Sequence, residues 1–419
     1  MISRVLARTP PHPRYPLVMQ RRTFLVSALS AAGASRAAGA NDRISIAMIG
    51  CGRRNLLGEV LEFARDSNVN VVAVCDTWRQ QREEAAARVE KALGARPEMF
   101  VHYPDVAGNS KIDAVVIGTP DHQHCTQLIA AVRAGKDAYV EKPLAMDMHE
   151  LIASTDAVKR SGKVVQCGTQ IRSYPASVSA RAFVTEGKLG PVMKVEQVRN
   201  SYHPYWHAYG ERKVDAADVD WKAFLLNRKY RPFDADQYAA WYGYREFSRG
   251  PQTNLMVHFI DLVHYITGCG LPRRAVGFAG TYRWKDRRTA PDSVEAVLEY
   301  DGFLVRYATV FGTGAGNYLK FFGTRGTLDA TRWSWNQPFT LSGEGSGEAD
   351  KLPPGSTIPM LESTPHMKNW FDCLRSRKAP NAPIEAGYAH SVAVIMADEA
   401  MFTGRRMVYD ASKRAVRAG

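Results

Sequence analysis

Between residues 44 and 167 the chain alternates short apolar runs with segments of helical period. Four of the runs end in residues able to do chemistry. Ile44–Ile49 runs into Gly50-Cys51-Gly52, Val69–Cys75 into Asp76, Ile112–Ile117 into Gly118-Thr119-Pro120, and Asp137–Val140 into Glu141-Lys142-Pro143; Lys163–Cys167 is a fifth run. Continuous apolar runs of strand length, each followed by a helix-like pattern, predict strands buried on both faces of a parallel sheet. This pattern excludes an all-helical or all-antiparallel first half. Open α/β sheets collect ligands at the carboxyl ends of their strands, where the polar residues fall.

The first turn, Gly50-Cys51-Gly52-Arg53-Arg54-Asn55, leads into a helix carrying Leu56, Leu57, Val60, Leu61 and Phe63. Its two glycines suit a dinucleotide fingerprint: one for the tight turn, one for close approach of a pyrophosphate to a helix N-terminus. Asn55 stands where a third Gly or Ala is expected. Asp76 lies 24 residues beyond Gly52, where a carboxylate would accept a hydrogen bond from the ribose 2′-hydroxyl. NAD is therefore expected. NADP is the alternative, since Arg53, Arg54 and Arg79 offer partners for a 2′-phosphate. A plain βαβ unit with a glycine turn is the bland reading.

Thr119, Pro120 and His124 follow the third of these runs and face the same crevice. His122 and His124 have ligand-like spacing, but no third ligand is near, so no metal is expected. Lys142 closes the strand-end set. A lone lysine after a strand is ordinarily a solvated residue, and it is the convergence of strand ends that makes this one a candidate proton-transfer group.

From residue 168 the pattern changes. A helix is expected over Pro175–Thr185, then an alternating strand from Val192 to Val198. Residues 202–247 hold 13 aromatic rings in 46 positions, against 10% for the whole chain. Flat rings with polar edges suit a sugar, whose C–H faces stack; a small core of the segment's own is the other reading. Gln252–Thr267 reads as a buried helix bearing one polar stripe of Asn254, His258, Asp261 and Tyr265, which must face a partner or a site. Ser293–Tyr300, an Asp301-Gly302 turn, Phe303–Val310 and Lys320–Leu328 read as antiparallel strands. His366–Arg377 and Ala386–Thr403 read as helices packed back onto the core.

The formal charge of +13 owes six to Arg4, Arg8, Arg14, Arg21, Arg22 and Arg36, in a stretch without acids; beyond them 49 basic face 42 acidic residues, a net of +7 without a basic block. No nucleic-acid partner is expected. Residues 1–40 read as an export signal: Arg21-Arg22 before Phe24-Leu25-Val26, an apolar stretch too short for a stable membrane span, and Ala38-Gly39-Ala40 as a cleavage site. The expectation is twin-arginine export to a bacterial periplasm. The six cysteines form no CxxC pair and read as small buried hydrophobes.

Taken together, the glycine turn, the acid after the second strand, Thr119-Pro120-x-x-x-His124 and Glu141-Lys142-Pro143 resemble the Gfo/Idh/MocA oxidoreductases over residues 42–410. The resemblance implies an α/β chain with two domains: an N-terminal Rossmann domain (41–167) and a C-terminal α+β domain (168–410) with a large, mostly antiparallel sheet. That sheet often makes a dimer in the family, so a homo-oligomer is expected. It implies that Gly50, Gly52, Arg53, Asp76, Thr119, Pro120, His124 and Glu141 hold the cofactor. Lys142, with His258 and Asn254, would be catalytic, and Lys142, Arg172, Asn254 and His258 would meet the substrate. The family carries an acid where Asn254 stands, so an Asp/His relay on that helix is not expected, and His258 acts alone or with Lys142. The implied activity is NAD(P)-dependent hydride transfer at a secondary hydroxyl of a sugar, glycoside or polyol. Two rival readings share these motifs: a glycoside hydrolase or lyase that recycles a tightly bound NAD, and a non-catalytic nucleotide-dependent sugar-binding protein.

Overall fold

The computed structural model describes residues 42–419 apart from 333 and 347–350. The export reading of residues 1–40 lies outside the described residues.

The apolar runs form β1 (Ile44–Ile49), β2 (Val69–Cys75), β3 (Glu98–Phe100), β4 (Ala114–Ile117), β5 (Asp137–Val140) and β6 (Val165–Cys167). They pair in parallel, in the order β3-β2-β1-β4-β5-β6. Every residue of β4 is buried, as are the last four of β1, because helices cover both faces. The helices are α1 (Leu56–Ala64), α2 (Arg79–Leu93), α3 (Tyr103–Gly108), α4 (His124–Arg133) and α5 (Met148–Ser161). Asp147 caps α5 by accepting the Glu150 N–H at 2.9 Å. The strand order reverses between β1 and β4, which opens a crevice above their carboxyl ends.

Two glycines are demanded by close approach. Gly50 has φ +88°, and a Cβ there would sit 2.7 Å from the backbone of Gly118 and Thr119. Gly387 lets a later helix lie against the Glu-Lys-Pro turn: its Cβ would sit 2.9 Å from Leu144 and 2.5 Å from Cys167. Asn55 at the α1 N-terminus has φ 57°, a left-handed conformation that asparagine tolerates better than most residues.

The second half adds α6 (Pro175–Thr185), β7 (Val192–Val198), α7 (Tyr205–Gly210), α8 (Trp221–Leu225), α9 (Ala235–Ala239) and α10 (Val257–Thr267), the last entered through a π-helical turn at Gln252–Met256. Then come β8 (Arg274–Gly280), β9 (Ser293–Glu299), β10 (Leu304–Val310), β11 (Tyr318–Gly323), β12 (Gly326–Asp329), β13 (Thr340–Ser342), α11 (His366–Ser376), α12 (Ile384–Thr403), β14 (Met407–Asp410) and β15 (Ala415–Ala418). The nine strands form one sheet, β13-β12-β11-β7-β10-β9-β8-β14-β15, antiparallel except for β7 with β10. Val294, Ala296 and Leu298 of β9 alternate inward with Val305 and Tyr307 of β10. α12 packs against β8 and β9 on this buried face, with α10 and α6 beside it. The opposite face leaves Val276 and Phe278 exposed, Phe278 by 81%. The fold is thus α/β, with a Rossmann half and a mostly antiparallel half. α11 crosses back: Met367, Trp370 and Phe371 share a core with Ile46, Met48 and Tyr139.

The aromatic segment builds a small core, the second of its two expected purposes. Trp221, Phe224, Leu225, Tyr244 and Phe247 form a small core of their own. That core is tied to the strand ends of the first sheet. The Asp220 N–H donates to the Thr77 carbonyl at 2.9 Å, and Trp78 pairs with Val219 as an isolated bridge. The Phe224 carbonyl accepts from His122 Nε2 at 2.9 Å and Gln123 Nε2 at 2.7 Å. Burial drives the His122 imidazole down to about 3, so it donates as a neutral ring. Trp221→Ala is expected to weaken this unit by about 3–5 kcal/mol, visible as faster limited proteolysis between residues 211 and 247.

Candidate active site

The turns after β1, β2, β4 and β5 and the aromatic segment enclose a cavity of about 510 Å³. Such a volume suits a ligand site. Gly50, Gly52, Arg53 and Asp76 line one part of it, and Thr119, Pro120, His124, Glu141, Lys142 and Asn254 another. Ten of the twelve residues singled out from the sequence therefore meet at one surface.

At the nucleotide end, a Cβ on Gly52 would meet nothing within 4 Å, leaving open space beside the α1 N-terminus. Asp76 accepts the Cys51 N–H at 2.8 Å on one oxygen and the Trp78 N–H at 2.9 Å on the other. Each oxygen keeps a second lone pair for a ribose hydroxyl. Burial raises the Asp76 carboxyl, and the two N–H groups and Arg82 oppose that rise. The donor set and open cradle fit a dinucleotide. The arginines weighed for a 2′-phosphate are partly engaged elsewhere. Arg79 pairs with Asp218, and Arg54 pairs with Glu59 and lies 3.0 Å from Glu141 Oε1. Arg212, unmarked by any motif, stacks 4.3 Å over the Trp78 ring on this wall.

At the other end, His124 braces two turns. Its Nδ1 lies 2.7 Å from the Pro143 carbonyl and its Nε2 lies 2.8 Å from the Thr119 carbonyl. Lys142 is half-buried, and its Nζ donates to the backbone carbonyl of Asn254 at 3.1 Å. Burial lowers the Lys142 ammonium from its ordinary range; Glu141 and Asp121 pull it back up and Arg54 pushes it further down. A lysine lowered by burial gives up its proton more readily than a solvated one. The Lys142–Pro143 bond is cis.

Two residues fall elsewhere. Arg172 does not line the cavity: its Nε and Nη2 donate to Asp261 at 2.8 and 2.5 Å, and its Nη1 donates to the Asn381 carbonyl at 3.0 Å. It is a buried structural ion pair, and Asp261, within 3.4 Å of His390, is held well below the usual carboxylate range against its burial, Arg172 being the largest lowering influence. His258 also lies off the cavity wall. Burial first, and the Lys142 charge second, push its imidazole well below its ordinary range, so it stays neutral. The helix carrying Asn254 and His258 is entered through a π-helical turn at Gln252–Met256; Asn254 lines the cavity and His258 does not. The sequence reading passed over Asp121, which is 3% exposed and lines the cavity. The signal for it was its position one residue after Thr119-Pro120, at the same strand end.

This is a dinucleotide-type crevice with a half-buried lysine on its wall, on a two-domain oxidoreductase scaffold. The profile of the Gfo/Idh/MocA oxidoreductase family, NAD-binding Rossmann fold, matches residues 44–169, and the family's C-terminal alpha/beta domain matches residues 181–408. The chain belongs to this family. It is 26% identical over 171 residues to inositol 2-dehydrogenase/D-chiro-inositol 3-dehydrogenase of Lactiplantibacillus plantarum, covering 39% of this chain and 47% of that one. It is 24% identical over 185 residues to a glycosyl hydrolase family 109 protein of a Shewanella species, covering 40% of each. These matches therefore span less than half the length of the curated relatives. Among solved structures, the WlbA dehydrogenase of Bordetella pertussis, in complex with NADH and UDP-GlcNAcA, superposes with a TM-score of 0.66 at 19% identity, over 88% of this chain and 99% of that one. A levoglucosan dehydrogenase complex with NADH and levoglucosan gives 0.65 at 18%, over 90% and 99%. At these identities the likeness establishes the fold.

Arg172→Leu is expected to lose about 3–5 kcal/mol of stability by stranding Asp261 in the core, read as a lowered Tm. A fully stable variant with a raised substrate KM would return Arg172 to the substrate site.

Proposed function

We propose that the protein is an NAD-dependent dehydrogenase acting on a secondary hydroxyl of a sugar, glycoside or polyol. The observation that carries this is the half-buried Lys142 ammonium on the wall of the same cavity as the Gly50–Gly52 cradle and Asp76. Gly52 and the α1 N-terminus would hold the pyrophosphate, and Asp76 the ribose hydroxyls. When bound there, NAD supplies the hydride acceptor. Lys142, in its neutral form, takes the hydroxyl proton of the substrate. Asn254 orients that hydroxyl: its amide nitrogen is engaged by Ser248 Oγ at 2.7 Å, while its amide oxygen has no donor among the described residues. Phe224, Tyr238, Trp241 and Tyr242 line the cavity and offer ring faces to a sugar. His258, neutral and off the wall, packs behind this arrangement.

Lys142→Met is expected to lower kcat by about 10²–10⁴-fold with NAD affinity kept, measured against a panel of sugars and polyols with free NADH followed at 340 nm. Turnover within a few-fold of the parent would contradict the assignment. Conversion of a glycoside without free NADH would point instead to in-place recycling.

We further propose that the chain is exported by the twin-arginine route, cleaved near Ala40, and paired through the open face of the nine-stranded sheet. The paired arginines and Ala38-Gly39-Ala40 support the first part, and the exposed Val276 and Phe278 the second. Native mass spectrometry of the protein from a periplasmic fraction tests both. The expected species is a dimer or higher oligomer of chains starting near Asn41; a monomer, or a chain retaining residues 1–40, would contradict the corresponding part.

A further inference from the structure

Two carboxylates lie near Lys142, and their surroundings differ. Glu141 faces the Arg54 guanidinium at 3.0 Å and accepts the Lys142 N–H at 3.1 Å. Asp121 has no arginine or lysine within ion-pair distance among the described residues. It takes only neutral donors: the Ser248 hydroxyl at 2.8 Å and the Asn254 amide at 3.3 Å. It is nonetheless 3% exposed. A buried carboxylate with neutral partners alone is costly unless a cation lies within electrostatic reach.

Asn254 connects the two groups. Its side-chain amide meets Asp121, and its backbone carbonyl accepts from Lys142 Nζ at 3.1 Å. Ser248, which donates to Asp121, is itself braced by Thr253, their hydroxyls lying 3.2 Å apart. We infer that Asp121 is the counter-charge of Lys142: a positioning residue that stabilises the ammonium formed when the lysine takes a proton. This rests on the proposed role of Lys142.

The charged and titratable groups around the lysine come from every element packed on it. Glu141 precedes it, Arg54 comes from the turn after β1, Asp121 and His124 from the turn after β4, and His258 from α10. Asp121 and Glu141 favour the ammonium, and Arg54 opposes it. Burial raises the Asp121 carboxyl, while His124, Lys142 and the Ser248 hydroxyl restrain it. Proton transfer to Lys142 creates a cation inside the cavity, and a fixed anion there stabilises that cation without reorganisation.

The test needs no substrate. Trace acetylation of the full chain with acetic anhydride across a pH series, with Lys142 followed by peptide mass mapping, gives the pH midpoint of that lysine. Removing the negative charge removes a stabiliser of the ammonium, so the midpoint in Asp121→Asn is expected to fall by about one pH unit, and Asp121→Glu to restore it. Lys136 is the internal control. An unchanged or higher midpoint in Asp121→Asn overturns the proposal. If that variant does not fold by circular dichroism, Asp121→Ser takes its place. That change also removes the negative charge, so a comparable fall is expected, and no fall overturns the proposal. A shifted midpoint in a protein that oxidises no sugar keeps Asp121 as the counter-charge and removes only the dehydrogenase reading.

Discussion

The site depends on keeping a lysine out of water. An ammonium in a half-buried position loses solvation, and the protein offsets this with a carbonyl at 3.1 Å and nearby carboxylates. Each of those features needs a different part of the fold. The carbonyl comes from the π-helical turn before α10, and one carboxylate precedes the lysine at the end of β5. The cavity roof is the aromatic segment that belongs to the second half. The close seat of α12 needs Gly387, since a Cβ there would press on Leu144, two residues after Lys142, and on Cys167. The chemistry is thus an outcome of how two sheets meet.

Much of this was legible in the sequence because buried parallel strands are written as continuous apolar runs, and their ends can be counted to the residue. Gly50, Asp76, Thr119 and Lys142 could be assigned to one crevice before any coordinates. Asn55 looked like a defect in the fingerprint. In the fold it opens α1 in a left-handed conformation, which a sequence pattern does not announce.

The less legible part has physical causes too. Arg172 and Asp261 are 89 positions apart, and no local pattern announces that they neutralise each other. The stripe put Asn254 and His258 side by side, but a helical period does not tell which of two neighbours reaches a cavity wall: Asn254 does and His258 does not. Asp121 sits in a strand-end turn whose neighbours drew attention as possible cofactor contacts. Its importance comes from Ser248 and Asn254, both more than 120 positions away.

In the proposed reaction a carbon–hydrogen bond of a sugar-like substrate breaks in the cavity beside Lys142. The most direct measurement uses a substrate deuterated at the carbinol carbon and the mass of the nicotinamide recovered after turnover. The deuterium is expected on the nicotinamide ring in step with product. Product formed while the nicotinamide stays unlabelled would contradict that reaction.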